Sequence, residues 1–142
     1  QAKGRIEGNI GRDPNNRKKM AVVTKGGKPA VTHFTQVEAY GQTATLVDCR
    51  LETGRTHQIR VHMASLGHPV LGDPLYSRAR RGRTADLDQD LRTGIADFKR
   101  QALHAAELGF RHPVDGRDLI FHAEPPHDMQ ALLRLFQQLI GA

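Results

Sequence analysis

The sequence has little of what stabilises secreted proteins or places a chain in a membrane. Its 142 residues include a single cysteine, Cys49, which excludes an internal disulfide. No apolar run approaches the roughly 20 residues that a membrane-spanning helix needs, and the first residues lack the regions of a signal peptide. We therefore expect a cytoplasmic protein. The apolar neighbours of Cys49 favour a buried small hydrophobic residue, with a nucleophile as the alternative.

The composition, with 38% hydrophobic and 25% charged residues, is that of an ordinary globular protein. This length suits one domain with a real core, and we find no internal repeat. We therefore predict one domain over residues 1–142, and a monomer. Residues 1–20 are turn-rich and polar and do not resemble the start of a domain, so the chain looks like a piece of a longer protein.

Two basic stretches, residues 1–20 and 78–83, carry a net charge of +4 each, and the remainder of the chain is slightly acidic, which gives +6 in total. Such concentration favours contact with a phosphate backbone, whose free energy comes largely from counterion release. The alternative is solvated loops that keep the protein soluble. The residues that we expect to contact phosphates are Arg12, Arg17, Lys18, Lys19, Arg78, Arg80, Arg81 and Arg83.

The first half of the chain alternates like an antiparallel hairpin, with strands over 28–40 and 43–52 joined at Gly41-Gln42. Thr56 is then a suitable N-cap for a helix over 57–66, and Gly67 is suited to end it. Ile59, Met63 and Leu66 fall at helical spacing, which predicts that they form its buried face.

The second half begins with residues 77–100, which we predict to be a flexible basic surface loop with at most one helical turn. Strands over 102–110 and 118–123 form a second hairpin around His112–Gly116. Asp128 can cap a final helix with an apolar stripe formed by Leu132, Leu135, Phe136 and Leu139. The predicted class is α+β, an antiparallel sheet with two flanking helices.

Residues 54–60 combine two arginines, a histidine and a glutamine at the start of the predicted helix. A helix N-terminus offers free N–H groups and a positive dipole, so a negative group is the expected partner. Arg60 could be partly buried and would then need a carboxylate or phosphate; its alternative is a structural salt bridge. Arg55 is freer to reach solvent or RNA. His57 and His62 are five residues apart, which is wrong for a zinc helix, and we predict no metal site.

The segment Gly54-Arg-Thr-His-Gln-Ile-Arg-Val-His-Met, followed by Leu66-Gly-His-Pro-Val-Leu-Gly-Asp-Pro-Leu-Tyr76, resembles the third motif of the RluA/RluD family of RNA pseudouridine synthases. Residues 11–20, 27–32, 101–105 and 112–116 resemble later blocks of the family in the same order. The resemblance covers nearly the whole chain and is closest to the ribosomal large-subunit synthases of the D type. It implies the carboxy-terminal part of the pseudouridine synthase fold and rRNA as the partner.

In that family an aspartate of a His-Arg-Leu-Asp motif attacks uridine, and no cofactor is used. That motif is absent from these residues, so the resemblance implies that the segment alone is inactive. It makes Arg60 the partner of the catalytic aspartate, and Leu103 either a residue lining the uracil pocket or an ordinary core residue. Arg55, Thr56 and His57 are implied to touch RNA.

Two other functions stay open. The basic stretches would also suit a non-catalytic RNA-binding module. Phosphate-ester chemistry at the helix start is the weakest alternative, because no Gly-rich phosphate loop or set of metal ligands accompanies it.

Overall fold

A computed structural model describes residues 3–77 and 86–141, which contain seven strands and three helices. The strands are β1 Lys3–Glu7, β2 Ile10–Asp13, β3 Asn16–Val22, β4 Val31–Tyr40, β5 Ala44–Leu51, β6 Glu107–Arg111 and β7 Asp118–His122. The helices are α1 Gln58–Ser65, α2 Gln89–Asp97 and α3 His127–Gly141. All strand pairs in this part of the chain are antiparallel, which confirms the predicted α+β class.

The predicted first hairpin is confirmed as β4 and β5, which form a three-stranded sheet with β1 in the order β1-β4-β5. Gly41 takes a left-handed conformation in the turn, and Thr43 N–H donates to Tyr40 O at 3.2 Å. The strand register shifts between Gln36 and Glu38. This bulge leaves Val37 52% exposed and interrupts the predicted alternation.

The prediction that residues 1–20 are turn-rich was wrong, because the described part of this region forms strands. β1 pairs along β4, and β2 pairs with β3 in a separate hairpin. Only a few residues here are buried, chiefly Ile6 and Ile10, at 7% and 2% exposed. Two buried side chains among many exposed cations give only a weak alternation of apolar and polar residues in the sequence. The strands are therefore stabilised mainly by backbone pairing, which this pattern does not reveal.

The prediction for residues 77–100 was wrong in its second half, where α2 forms. Asp88 caps this helix by accepting a hydrogen bond from Leu91 N–H at 2.8 Å, and Leu91 is only 1% exposed. Leu87 and Ile95, four residues away on either side, pack against the same core. Residues 78–85, with Arg78, Arg80, Arg81 and Arg83, lie outside the described residues.

The larger of two buried clusters lies between α2, α3 and the end of β4. Its buried members are Tyr40, Leu91, Phe98, Met129, Leu132 and Phe136. The rings of Tyr40 and Phe136 stack at 5.3 Å between centroids. The predicted stripe of α3 is therefore confirmed, although the helix starts at His127 rather than being capped by Asp128. A smaller cluster of Ile10, Ala30 and Val61 lies under α1.

The second predicted hairpin is confirmed as β6 and β7, with shorter strands than expected. Gly116 has a φ of 75°, and His112 N–H donates to Arg117 O at 2.7 Å to close the turn. Residues 102–106, predicted as strand, are outside any regular element. None of the described helices combines the length and the apolar character needed to cross a membrane.

The loop over residues 70–77 packs against the segment that leads from α2 to β6. Ala102 N–H donates to Leu71 O at 2.8 Å, and Gly72 has a φ of 76°. A Cβ atom on Gly72 would lie 2.2 Å from Arg100 O and 2.8 Å from Phe98 O. The two segments can approach this closely only because residue 72 has no side chain.

We predict that Gly72→Ala lowers the free energy of unfolding by about 3 kcal/mol or more, because a left-handed alanine costs roughly 1–2 kcal/mol and the clash with backbone adds to it. Gly116→Ala is the matched control, with the same positive φ and nothing within 4 Å. Urea unfolding of both variants measures the difference. Equal losses at the two positions would show that the close approach at Gly72 contributes nothing.

Candidate functional site

The start of α1 is shaped by its backbone rather than by the predicted N-cap. Thr56 was predicted to cap the helix, which was wrong: His57 occupies the cap position in a left-handed conformation, and its side chain makes no capping bond. Thr56 is exposed. Arg55 N–H is instead bound by the side chain of Gln58, at 3.0 Å from Oε1. The helix therefore begins at a left-handed residue without a side-chain cap.

Gln58 is 3% exposed, and its side-chain amide forms two hydrogen bonds as acceptor and two as donor, all within this chain. Its Oε1 accepts from Arg55 N–H and from Thr53 Oγ1. Its Nε2 donates to Val31 O and to Thr32 Oγ1, both at 3.0 Å. The side chain therefore ties the first residue of α1 to strand β4.

His62, one helical turn later, continues this network and is fully buried. Its Nε2 lies 3.0 Å from Gly8 O, a group that can only accept, so Nε2 carries a hydrogen. Its Nδ1 lies 2.8 Å from Thr32 Oγ1, which can donate because it already accepts from Gln58. His62 therefore connects α1 with the segment between β1 and β2.

The predicted buried face of α1 was wrong. Leu66 is 45% exposed, and Ile59 and Met63 are half-buried, whereas the buried residues are Gln58, Val61 and His62. The helix turns its polar residues inward because β4 and the segment between β1 and β2 offer them hydrogen-bonding groups. Gly67 ends the helix as predicted, with a φ of 83°.

Arg60 forms a bidentate ion pair with Asp73 within the same chain. Arg60 Nε donates to Asp73 Oδ2 at 2.7 Å, and Nη2 donates to Oδ1 at 2.8 Å. The side chains are 11% and 0% exposed, so the pair is nearly withdrawn from solvent. This geometry uses two of the three guanidinium nitrogens. No hydrogen bond engages the third, Nη1, among the residues that the structure describes.

Asp73 is held ionised by its surroundings. Burial pushes the pKa of Asp73 upward, but the hydrogen bonds from Arg60 and from the N–H groups of Leu75 and Tyr76 outweigh burial, and the net pKa lies below its ordinary value. The same ion pair raises the pKa of Arg60. Both members of the ion pair therefore stay charged throughout the physiological pH range.

Tyr76 connects this ion pair with the β2–β3 hairpin. Its hydroxyl accepts from Met20 N–H at 2.9 Å and lies 2.8 Å from His57 Nδ1. Arg60 Cζ is 5.0 Å from the ring centroid and Lys19 Nζ is 5.9 Å from it, so two cations lie over the ring. Burial and the Arg60 charge lower the pKa of His57, which favours a neutral ring that accepts from the tyrosine hydroxyl.

The structure brings together some of the predicted site residues and separates others. Arg60, His57 and Lys19 meet at Tyr76. Arg55 instead donates through Nε to Pro29 O at 2.9 Å. Leu103 is half-buried and outside any strand, directly after the residue that hydrogen-bonds to Leu71.

The four amino-terminal cations that were predicted to contact phosphates lie on the β2–β3 hairpin. Arg12, Arg17 and Lys18 are exposed, and Lys19 is half-buried against Tyr76. In the part of the chain that the structure describes, no three histidine, cysteine or acidic side chains are grouped as metal ligands. The site therefore consists of a buried ion pair, an aromatic ring and a nearby cationic surface.

Comparison with known proteins identifies the family. A family model described as RNA pseudouridylate synthase matches residues 1–65. "Ribosomal large subunit pseudouridine synthase D" of Zymomonas mobilis is 49% identical over 133 residues, and the protein of that name from Neisseria meningitidis serogroup B is 48% identical over 138 residues. The chain belongs to the RNA pseudouridylate synthase family.

These matches cover 93% and 97% of this chain, but the chain spans only 40% and 36% of the two family members. Among solved structures, Human RNA Pseudouridylate Synthase Domain Containing 1 superposes with a TM-score of 0.68 at 25% identity. That match covers 100% of this chain and 61% of the human chain. The pseudouridine synthase fold predicted from the sequence is thereby confirmed.

Sequence reasoning gave no role to two central residues, Asp73 and Tyr76. Both lie in the quoted family motif, and Gly72-Asp73-Pro74 is a turn sequence in which a carboxylate commonly binds backbone N–H groups. The sequence did predict that a partly buried Arg60 needs a carboxylate or a phosphate as its partner. Finding Asp73 as that carboxylate required the loop to fold back onto α1, which local spacing does not reveal.

We predict that Asp73→Asn lowers the free energy of unfolding at neutral pH by roughly 3 kcal/mol, because it leaves the Arg60 guanidinium buried without a counter-charge. The matched control is Asp128→Asn. Asp128 forms the same bidentate geometry with Arg100, at 2.8 and 2.7 Å, but the two side chains are 50% and 40% exposed. The control variant should lose much less.

The pH dependence of this effect has a defined sign. The depressed pKa of Asp73 contributes stability above the unfolded pKa of an aspartate and loses it as pH falls through the folded pKa. The difference between the native protein and Asp73→Asn should therefore shrink in acid. Thermal unfolding between neutral and acidic pH measures it, and a constant difference would contradict the assigned ion pair.

Proposed function

We propose that the full-length protein is an RNA pseudouridine synthase that isomerises uridine to pseudouridine in large-subunit rRNA. The observation that carries the proposal is Arg60, held by Asp73 with Nη1 uncommitted among the described residues, in a chain about half identical to relatives named for that reaction. Cytoplasmic location and a monomeric state stay predictions from the sequence.

Arg60 is proposed to bind the reacting aspartate through Nη1. A carboxylate beside a fixed guanidinium stays ionised and keeps one orientation, and a nucleophile needs both. Because Asp73 already fixes the guanidinium plane, approach of a second carboxylate would not require the arginine to reorganise. These 142 residues contain no His-Arg-Leu-Asp sequence, so this carboxylate belongs to a part of the full-length enzyme outside them.

Leu103 is proposed to line the pocket for the flipped uracil. It follows Ala102, whose N–H donates to Leu71 O two residues before Asp73, and this connection supports a position beside the ion pair. A flipped base requires an apolar surface together with a few polar contacts. Leu103 would supply part of the apolar surface.

The β2–β3 hairpin is proposed to bind the RNA backbone next to the reacting uridine. One of its cations, Lys19, lies over the ring of Tyr76, whose hydroxyl connects the hairpin to His57 at the start of α1. Phosphates bound to this hairpin would lie close to the site, because Tyr76 connects the hairpin with the start of α1. The same cations would also suit a non-catalytic RNA-binding module, which the activity of the full-length protein distinguishes.

We predict that Arg60→Lys in the full-length enzyme lowers kcat by roughly 100-fold or more and changes RNA affinity by less than about threefold. Lysine keeps the charge but cannot bind Asp73 and a second carboxylate in one plane. Single-turnover release of tritium from labelled rRNA, with filter binding on the same variant, measures the two effects. The control is Arg100→Lys, which makes the same change in a bidentate pair with Asp128 whose side chains are largely exposed.

Equal losses of turnover and affinity in Arg60→Lys would indicate a phosphate contact instead. A wild-type full-length protein that binds rRNA but forms no pseudouridine would favour the binding module. We also expect residues 1–142 alone to form no pseudouridine, because an arginine cannot replace a carboxylate nucleophile.

We predict that the double substitution Arg17→Gln and Lys19→Gln reduces the salt dependence of rRNA binding. Each lost phosphate contact should lower the slope of log K against log salt by about 0.7–0.9. Arg111→Gln with Arg117→Gln is the control of equal charge, because these exposed arginines lie on the distant β6–β7 hairpin beside Asp118 and Asp115. Identical slopes for the two double variants would remove the β2–β3 hairpin from the interface.

A further inference from the structure

The hydroxyl group of Tyr76 is bonded both to the β2–β3 hairpin and to the start of α1. Its oxygen accepts from Met20 N–H at 2.9 Å and lies 2.8 Å from Nδ1 of His57. A phenol has one hydrogen, and among the described residues Nδ1 is the one acceptor bonded to this oxygen, so the hydrogen donates to Nδ1. One oxygen atom therefore fixes the distance between strand β3 and the N-cap residue of α1.

The ring and backbone of Tyr76 contact the charged groups that the proposed function uses. Arg60 Cζ and Lys19 Nζ lie 5.0 and 5.9 Å from the ring centroid, within the range of cation–π attraction. The backbone N–H of Tyr76 donates at 3.2 Å to Asp73 Oδ1, the same oxygen that accepts from Arg60. Arg60 and one cation of the hairpin are therefore placed relative to a single residue.

The backbone of His57 is strained where its ring meets this hydroxyl. Among the described residues His57 is the only one other than glycine with a positive φ, at 56°. Such strain persists only where the surrounding structure determines it, and it clusters at functional sites. The His57 side chain makes no capping bond with the helix, and its ring instead contacts Tyr76 through the hydrogen bond and edge-on, with centroids 5.5 Å apart. The strain therefore coincides with the contact to Tyr76.

We propose that Tyr76 is a positioning residue for the reaction, which keeps the RNA-binding hairpin at a fixed distance from Arg60. This inference rests on the proposed function, in which the hairpin binds the RNA backbone and Arg60 binds the reacting aspartate. The RNA and the nucleophile are then held by different elements of the chain. A misplacement of about 1 Å between reacting groups can lower a rate roughly 100-fold, so the distance between these elements must be closely kept.

Apolar packing also joins the hairpin to α1, so the hydroxyl is not required for folding. Met20 and Tyr76 pack against the buried cluster of Ile10, Ala30 and Val61. A phenylalanine at position 76 would keep this packing and the ring contacts with both cations. The two hydrogen bonds of the hydroxyl would be lost, and with them the fixed distance rather than the fold.

Stacking of an RNA base is the other use of a tyrosine beside a cationic surface. Stacking depends on the aromatic ring and does not require the hydroxyl. Here the ring is half-buried and already contacts two cations and His57, and the hydroxyl is bonded on both sides. These contacts favour positioning, and the two uses predict opposite results for a phenylalanine.

Tyr76→Phe in the full-length enzyme tests the positioning role. We expect the single-turnover rate of pseudouridine formation in rRNA to fall roughly 10- to 100-fold, because the geometry between RNA and Arg60 is loosened. The Kd for rRNA should change by less than about threefold and its salt dependence should stay the same, because the hairpin keeps its cations.

The matched control is Tyr40→Phe, at the other tyrosine of the chain. The Tyr40 hydroxyl lies in the larger core cluster and forms no hydrogen bond among the described residues. Its removal should leave both the rate and the Kd unchanged.

Hydrogen exchange measured by NMR on the same variants follows the hydrogen bond itself, independently of activity. Met20 N–H should exchange roughly tenfold faster or more in Tyr76→Phe, because its acceptor is gone. Arg92 N–H, which donates to Asp88 O at 3.1 Å in α2, should exchange as in the native protein. Faster exchange at Arg92 as well would assign the loss of rate to general loosening and overturn the positioning role.

Three further results would overturn it: an unchanged rate in Tyr76→Phe, equal losses of rate and affinity, or unchanged exchange at Met20. An unchanged rate in Tyr76→Phe together with weaker binding in Tyr76→Leu would assign the ring to base stacking. A native full-length protein without synthase activity would refute the proposed function and this role together. An active native protein with a fully active Tyr76→Phe variant would refute this role alone.

Discussion

The buried ion pair between Arg60 and Asp73 is the interaction on which the arrangement of the site depends. It joins α1 to the loop over residues 70–77, two segments that share no strand pairing. The loop then contacts β3 through Tyr76 and the α2–β6 segment through Leu71 and Gly72. One short loop therefore carries the contacts to α1, to β3 and to the α2–β6 segment.

Burial gives this ion pair a desolvation cost as well as a defined geometry. Withdrawing two charges from water is repaid only if the geometry is good and the remaining lone pairs are bonded. Asp73 meets that condition with two hydrogen bonds from Arg60 and two from backbone N–H groups. Arg60 uses Nε and Nη2 for this pair, and among the described residues its Nη1 has no hydrogen bond and is not buried. Nη1 is therefore the accessible atom at which the proposed second carboxylate would bind.

Local signals predicted the hairpins and the extent of α1, but they failed at the buried face of α1 and at α2. Gly41 and Gly116 determine their turns within a few residues, so sequence alone was sufficient. The inward face of α1 depends on Thr32 and Gly8, which are distant in sequence, and an apolar-periodicity argument cannot anticipate a helix that buries Gln58 and His62. For α2 the signal was present, since Asp88 precedes Leu91 and Ile95 at helical spacing. The surrounding arginines and glycines obscured it.

The polar network around Gln58 and His62 gives the start of α1 one bonded arrangement. Gln58 forms four hydrogen bonds and His62 two, all to groups of this chain. Arg60 lies between these two residues in the sequence of the helix, and Asp73 orients its guanidinium group through two hydrogen bonds. Because the helix start and the guanidinium group already have these partners, the second carboxylate proposed to bind Nη1 would require no rearrangement of the described residues.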